Sequence, residues 1–197
     1  MQLYSMVFIS LLYFLPLYST GRIEPRGKKL VEESIILVGF HLFHPLVHEL
    51  SHIVQSEFFV AMNFEMDNKN QKTKIWLNSF CRPFSATYRL VNNPYANTIS
   101  TLSGPVGGIL GTYLFVKAYN IYTEYKKNKP FKKAVRDGYS KNFLNNDQSL
   151  AFKTLIAIAI GTNIAACLPF NTLFPKSMQR KLPCTELDQI IKEFTTS

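Results

Sequence analysis

The hydrophobic residues of this chain are gathered into four blocks, and nearly all of its charged residues lie between them. The blocks cover residues 3–19, 34–62, 98–122 and 150–174. Each is long enough to cross the hydrocarbon layer of a bilayer, which takes roughly 20 helical residues. The mean hydropathy of +0.01 conceals this segregation. The pattern predicts a single all-α integral membrane domain over residues 1–197, a multi-pass protein with about four transmembrane helices.

The first block, residues 3–19, has two interpretations. A signal peptide needs a positively charged start and a cleavage site made of small residues. No Lys or Arg precedes Arg22, and Ser19-Thr20-Gly21 matches such a site poorly. The composition therefore favours a retained span over a cleaved signal, and both interpretations stay open.

The net charge of +9 reflects 22 Lys and Arg against 13 Asp and Glu. Half of the basic residues lie in two loops, residues 21–33 and 126–141. Basic loops mark the cytoplasmic side of a membrane protein, and with four spans these two loops fall on the same side. Cations beside apolar blocks favour contact with the lipid bilayer. No basic helix face with interleaved aromatic residues is present, so nucleic acid is not an expected partner.

The polar segment between the second and third blocks contains two short stretches rich in β-branched and aromatic residues. They cover residues 74–77 and 85–91. Stretches of this kind that flank a turn are typical of paired strands. The sequence therefore predicts a short β-hairpin at the membrane interface after the second span.

The second block contains His48-Glu49-Leu50-Ser51-His52, an H-E-x-x-H motif. On a helix, residues four positions apart share a face, so both histidines can reach one metal ion. Neutral imidazole is a good zinc ligand, and Glu49 is placed to act as a general base on water at that metal. Ionisable groups at membrane depth are costly and functional by default. The motif therefore predicts a catalytic Zn²⁺ site.

A catalytic zinc site has three protein ligands and one open position, and the motif supplies two of them. All histidines of the chain lie in the second block, so the third ligand is expected to be a carboxylate. Asp147, Glu186 and Asp188 are the candidates near the fourth block. His44, one turn before His48, either supports the site or faces a neighbouring helix.

Three pieces of the chain together resemble the site-two protease family of intramembrane zinc proteases. The first is the H-E-x-x-H motif inside a hydrophobic block. The second is the string SGPVGG at residues 103–108, which resembles the Gly-Pro segment of the family. The third is Asn163 with Pro169 and, further on, Asp188, which resembles an Asn-x-x-Pro…Asp-Gly element. Two departures are the longer interval before Asp188 and the presence of Gln189 where the family usually has Gly.

The resemblance implies an enzyme that hydrolyses peptide bonds in membrane-embedded segments of other proteins. It implies that Asp188 is the third zinc ligand, with Glu186 kept as the alternative because of the departures. It also implies that Asn163 contacts the substrate or supports the metal site, and that Gly104 and Pro105 belong to the same substrate-binding or supporting part.

Three other interpretations are open. The chain could be a catalytically inactive, membrane-embedded metal-binding or scaffold protein that binds transmembrane helices, although the presence of Glu49 argues against this. It could belong with membrane proteases that use a Glu as third ligand, such as those that trim prenylated proteins. No Glu-x-x-x-Asp string follows the motif to support that class. The last interpretation is a small channel or transporter subunit. The sequence does not indicate the substrate or the oligomeric state.

Overall fold

The structure is a computed structural model that describes residues 25–66, 71–79, 82–168, 187–188 and 191. The described elements are α1 (Pro25–Ala61), β1 (Lys74–Ser79), β2 (Arg82–Thr87), α2 (Pro94–Tyr125), α3 (Phe131–Ser140) and α4 (Leu150–Ala166). The chain is thus mostly helical with one small antiparallel sheet, in agreement with the prediction. The first predicted block, residues 3–19, and the end of the fourth, residues 169–174, lie outside the described residues.

The three long helices correspond to the second, third and fourth predicted blocks, with α4 ending at Ala166 inside the fourth block, and local sequence sets where α2 and α4 begin. Asn93 accepts a hydrogen bond from the backbone N–H of Ala96 and caps α2, which has Pro94 in its first turn. Ser149 accepts from the N–H of Phe152 and caps α4. Such side-chain oxygens satisfy N–H groups that the first helical turn leaves without an intrahelical partner. Both α1 and α2 extend beyond their apolar blocks, because the flanking Lys, Glu and Tyr residues tolerate a helix.

Pro45 lies inside α1 without ending it. Proline lacks an N–H and removes one i to i−4 hydrogen bond, which usually bends or breaks a helix. Helix α1 nevertheless runs as one element through the whole H-E-x-x-H motif.

The predicted hairpin is confirmed, with a shorter second strand. Strands β1 and β2 pair antiparallel, with Trp76 opposite Ser85 and Lys74 opposite Thr87. The predicted second strand continued to Val91, but it leaves the sheet after Thr87. The aromatic ring of Tyr88 turns instead onto the ring of His52 on α1. The hairpin is therefore anchored beside the histidine motif.

The apolar core lies between the first half of α1, the second half of α2 and the first half of α4. Its centre consists of Phe40, Val116, Phe152 and Ile156, each at most 1% exposed. The ring of Phe115 meets the ring of Phe40 edge-on with their centroids 5.0 Å apart, a favourable aromatic geometry. This core fixes the three long helices relative to one another at one end and leaves their other halves to form the histidine site.

Helix α3 is a feature that the sequence analysis did not predict, because it lies within the basic loop. Ala134 and Gly138 are buried against α2, one helical turn apart. A Cβ atom on Gly138 would lie 2.4 Å from the Cα atom of Ile121, so only glycine permits this close approach. The small buried face was hidden in the sequence by the lysines around it.

Among the described helices, α2 is long and apolar enough to cross a membrane by length and composition, and α4 is apolar but shorter. Helix α1 has 37 residues. It also contains all the histidines of the chain together with Glu49, and these polar residues lower its hydropathy. The structure thus supports one membrane-spanning helix, and the four-span arrangement stays a prediction.

Candidate metal centre

His48 and His52 lie one turn apart on α1 and direct the same ring atom toward a common point. Their Nε2 atoms are 3.3 Å apart. The two rings are nearly perpendicular, with an interplanar angle of 81° and centroids 4.9 Å apart. This convergence follows from the four-residue spacing of the motif, which puts both side chains on one helical face.

The ring of His52 is fixed by groups from two other elements. Its Nδ1 atom lies 2.8 Å from the carbonyl oxygen of Ser100 on α2. A carbonyl oxygen only accepts, so Nδ1 carries the proton and the lone pair of the neutral ring is on Nε2. Tyr88 stacks on the ring at 11° with the centroids 5.1 Å apart. His52 itself is 5% exposed.

Asn163 of α4 fixes the ring of His48. The amide nitrogen Nδ2 of Asn163 donates to the carbonyl oxygen of Ala159 at 2.7 Å, which turns its oxygen Oδ1 toward His48. That oxygen lies 3.1 Å from the Nδ1 atom of His48. Nδ1 of His48 is therefore the donor, and the lone pair of this ring is also on Nε2. The two rings adopt the same tautomer through contacts with two different helices.

Two Nε2 lone pairs that face each other at this distance repel unless a proton or a cation lies between them. Two nitrogen ligands of a tetrahedral zinc ion are themselves about 3.3 Å apart, given Zn–N bonds of about 2.0–2.1 Å. The observed separation between His48 and His52 is 3.3 Å. The hydrogen bonds on both Nδ1 atoms are the outer contacts that metal-ligating histidines usually make. The histidine pair therefore fits a zinc ion.

The glycine-rich string of α2 provides the space for these side chains. A Cβ atom on Gly104 would lie 2.1 Å from Nε2 of His52, and one on Gly108 would lie 2.4 Å from Oδ1 of Asn163. Either contact would force the side chain to move. Pro105 is buried inside α2 between these two glycines. Gly104 and Pro105 were predicted to bind substrate or support the site. Gly104 lies against His52 and leaves room for its ring, and Pro105 is the next residue of the same helix.

Glu49 is 7% exposed and borders a cavity at the metal site. The cavity has a volume of about 290 Å³. It is lined by residues of α1, of the hairpin and of α4, namely His44, Pro45, His48, Glu49, Phe84, Thr162, Asn163 and Ala166. A larger cavity of about 470 Å³ lies between α1 and α2 near Ile35 and Phe115, away from the motif. The smaller one is the candidate site because Glu49 and His48 of the motif both line it.

The third ligand stays a prediction. Asp188 is 6% exposed and lies with Leu187 in a helical stretch. Within the part of the chain that the structure describes, no three His, Cys, Asp or Glu side chains form a group that could hold a metal ion. Glu186 lies outside the described residues. Asp147 bonds to Lys127 and Lys141 before the start of α4. It is about 20 Å along the helix axis from Asn163, too far to join the histidines.

Sequence analysis missed two groups that hold the site. The Ser100 carbonyl is a backbone atom, and its partner His52 is 48 positions away, so no sequence pattern signals it. Tyr88 was placed in a strand, with no indication that its ring would face a histidine. Its hydroxyl oxygen is 3.4 Å from Oγ1 of Thr101, which ties the ring to α2.

No protein family, curated protein or solved structure matches this chain. The resemblance to the site-two proteases therefore stays a prediction. The functional assignment depends on the chemistry of the site itself: two convergent imidazoles, a buried carboxylate next to one of them, and a cavity that α1, the hairpin and α4 border.

Proposed function

We propose that this chain is a multi-pass intramembrane zinc metalloprotease that hydrolyses peptide bonds in membrane-embedded segments of other proteins. The observation that carries the proposal is the 3.3 Å separation of the Nε2 atoms of His48 and His52, both of which present lone pairs. Glu49, buried beside them, distinguishes a hydrolytic site from a purely structural one, because a structural site needs no base.

His48 and His52 would hold the metal, with Asp188 as the third ligand by resemblance and Glu186 as the alternative. When bound, zinc supplies Lewis acidity, which polarises the scissile carbonyl and makes water more acidic. The carboxylate of Glu49 takes a proton from the attacking water and delivers it to the leaving amine. Ser100 and Asn163 prevent the two imidazoles from turning.

The dimensions of the cavity favour an extended substrate. An α-helix with its side chains is about 10–12 Å wide. A cavity of about 290 Å³ takes one large side chain or a short extended segment, not a helical turn with its side chains. A transmembrane substrate would therefore unwind locally before cleavage, which also exposes an amide that the helical hydrogen bonds shield. Phe84 of the hairpin and Ala166 of α4 border the space that this segment would occupy.

In the proposed arrangement α1, α2 and α4 cross the bilayer and residues 3–19 supply a further span. The apolar length of α2 supports this. The basic residues that follow α2 support a cytoplasmic position for that end of the helices. Exposed apolar side chains on α2, including Val106, Leu110 and Leu114, would then contact lipid.

The proposal is tested by the zinc content of detergent-purified protein, measured by elemental mass spectrometry. We expect about one zinc ion per wild-type chain and none in His52→Ala. His41→Ala is the matched control and should keep zinc, because it lies about 16 Å along α1 from His52. Absence of zinc from folded, monodisperse wild-type protein would refute the metal site.

The catalytic role is tested by Glu49→Gln. This variant should keep its zinc and lose at least about a hundredfold in cleavage of a transmembrane reporter substrate, the usual contribution of a general base. Zinc binding without any effect of Glu49→Gln on the protein's activity in cells would favour a non-catalytic scaffold that binds transmembrane helices.

The third ligand is tested by comparing Asp188→Ala with Glu186→Ala. The first variant should lose zinc occupancy and the second should keep it, because a catalytic site has three protein ligands. The opposite ranking would assign the third ligand to Glu186 and leave the rest of the proposal unchanged.

A further inference from the structure

Asn163 is the point at which α4 meets the metal site, and its side chain is held on both sides. It is 3% exposed. Its Oδ1 accepts from His48, while its Nδ2 donates to the Ala159 carbonyl at 2.7 Å and lies 2.7 Å from Nε2 of His44. Both N–H bonds of the amide are therefore in use, one toward a carbonyl oxygen and one toward an imidazole lone pair.

The orientation of this amide decides which nitrogen of His48 carries the lone pair. If the amide rotated by 180°, its Nδ2 would face Nδ1 of His48. That nitrogen would then have to accept, and the proton would move to Nε2, the atom that faces His52. A protonated Nε2 cannot bind a metal. Correct ligation by His48 thus requires that the oxygen of Asn163 stay where it is.

His44 opposes this rotation while its own ring carries the proton on Nδ1. Its Nε2 atom then accepts from Asn163, and a rotated amide would place an oxygen lone pair against the same nitrogen lone pair unless the proton of His44 also moved to Nε2. The imidazole of His44 is itself packed against Phe40, with the ring centroids 5.7 Å apart. His44 lies one turn before His48 on the same face of α1, so one amide from α4 reaches both rings.

We infer that His44 is a positioning residue which, through Asn163, fixes the tautomer in which His48 binds the metal. The inference rests on the proposed zinc site, and it adds a continuous series of contacts behind it: His44 to Asn163, Asn163 to His48, and His48 to the metal. His44 lines the same cavity as Glu49, and its effect on the metal passes through the amide. The Ala159 carbonyl holds the same amide, so His44 acts as a second restraint.

The test compares two substitutions with opposite hydrogen-bonding capacity. His44→Phe removes the acceptor and keeps a ring of similar shape, whereas His44→Gln keeps a side-chain oxygen that can accept from Asn163. Zinc affinity is measured by competition with a chromophoric chelator in detergent. We expect His44→Phe to bind zinc about tenfold more weakly than wild type, the lower end of outer-contact effects on metal affinity. His44→Gln should bind zinc like wild type.

If His44 acted by packing alone, His44→Gln should bind zinc no more tightly than His44→Phe, since Gln fills the ring space less well than Phe. Equal affinities for the two variants, or weaker binding by His44→Gln, would overturn the inference. Wild-type zinc binding would still stand in that case, which separates this failure from failure of the proposed function. The effect should also disappear in an Asn163→Leu background, where the amide is absent. A further loss there would contradict a path through Asn163.

A spectroscopic measurement keeps the inference testable if His44→Phe does not fold. The chain has only 4 histidines, so ¹⁵N-histidine labelling gives few imidazole signals. Two-bond nitrogen–proton couplings in zinc-free protein report the tautomer of each ring. Wild type and His44→Gln should both show His48 protonated on Nδ1. Protonation of His48 on Nε2 in the wild-type protein would refute the inference.

Discussion

Two polar clusters, each with a buried carboxylate, lie at opposite ends of the same helices, and they differ in how their charges are balanced. The basic cluster surrounds Glu124, which is 2% exposed at the end of α2. Lys127 lies 2.8 Å from this carboxylate, and Lys129 and Lys141 also contact it. Asp147 pairs with two of these lysines, and Asp137 with the remaining one, Lys129. Three ammonium groups thus meet three carboxylates.

The metal centre has the opposite design. Its two histidines present the same kind of atom, a nitrogen lone pair, to a common point, and the groups around them are arranged to keep it so. A cluster of opposite charges satisfies itself and has a structural role. A cluster of convergent like groups gains most from an added cation. The comparison indicates that complementarity within a buried cluster, and not its polarity, separates a structural site from a binding site.

The largest expected effect comes from crowding the metal centre. Gly104→Ala would put a methyl carbon 2.1 Å from Nε2 of His52 and displace that ligand. Zinc affinity should fall by about a hundredfold or more, beyond the range for outer contacts, because a ligand itself moves. Chelator competition measures this.

Gly161→Ala is the matched control for that variant. It is also a helical glycine, on α4, and a Cβ atom there would meet nothing within 4 Å. Zinc affinity should remain that of wild type. Equal affinities for the two variants would mean that α2 does not approach His52 as closely as the structure has it.

Disruption of the basic cluster should lower the stability of the fold without changing zinc binding. Glu124→Gln removes the carboxylate that holds three lysines together and leaves their charges close to one another. The thermal midpoint should fall clearly, and the zinc content of the folded protein should not change. Lys132→Gln, an exposed substitution on α3, is the control for loss of one charge. A loss of zinc from folded Glu124→Gln would show that the two clusters are coupled.

The smallest expected effect is the dependence of the basic cluster on pH. Hydrogen bonds from Lys141, then from Lys127, hold the pKa of Asp147 below its ordinary value of 3.8. A carboxyl group whose pKa is lower in the folded state stabilises the fold above about pH 4, and this contribution disappears as the pH falls through the lowered pKa. Asp147 is partly exposed, so solvent and salt screen the effect.

This pH dependence is measured on zinc-free protein, because acid also protonates the histidines and would release metal. The thermal midpoint of the wild type should decrease more between pH 5 and pH 3 than that of Asp147→Asn. Parallel decreases would exclude Asp147 as a source of acid sensitivity. High salt should reduce the difference between the two proteins.

Much of the fold could be predicted from sequence because its signals are local. The three long helices lie where the second, third and fourth apolar blocks were predicted, and the hairpin pairs largely as its β-branched and aromatic stretches indicated. Helix α3 escaped prediction because only Ala134 and Gly138 form its buried face. The end of β2 was placed too late because Tyr88 is drawn to His52 by a contact 36 positions away in the chain, on another element.

The sequence by itself determined the convergent histidine pair, because the spacing of His48 and His52 and the geometry of one helix suffice to make two nitrogens converge. Only the tertiary structure decided which nitrogens those are. Ser100 and Asn163 select the tautomers from 48 and 115 positions away, through packing of α2 and α4 on α1. The same packing made the glycines of α2 into space for a histidine side chain and brought lysines from two segments, the turn after α2 and the end of α3, around Glu124. Helical periodicity depends on residues that are close in the sequence, whereas hydrogen-bond direction depends on which distant group the fold brings within reach.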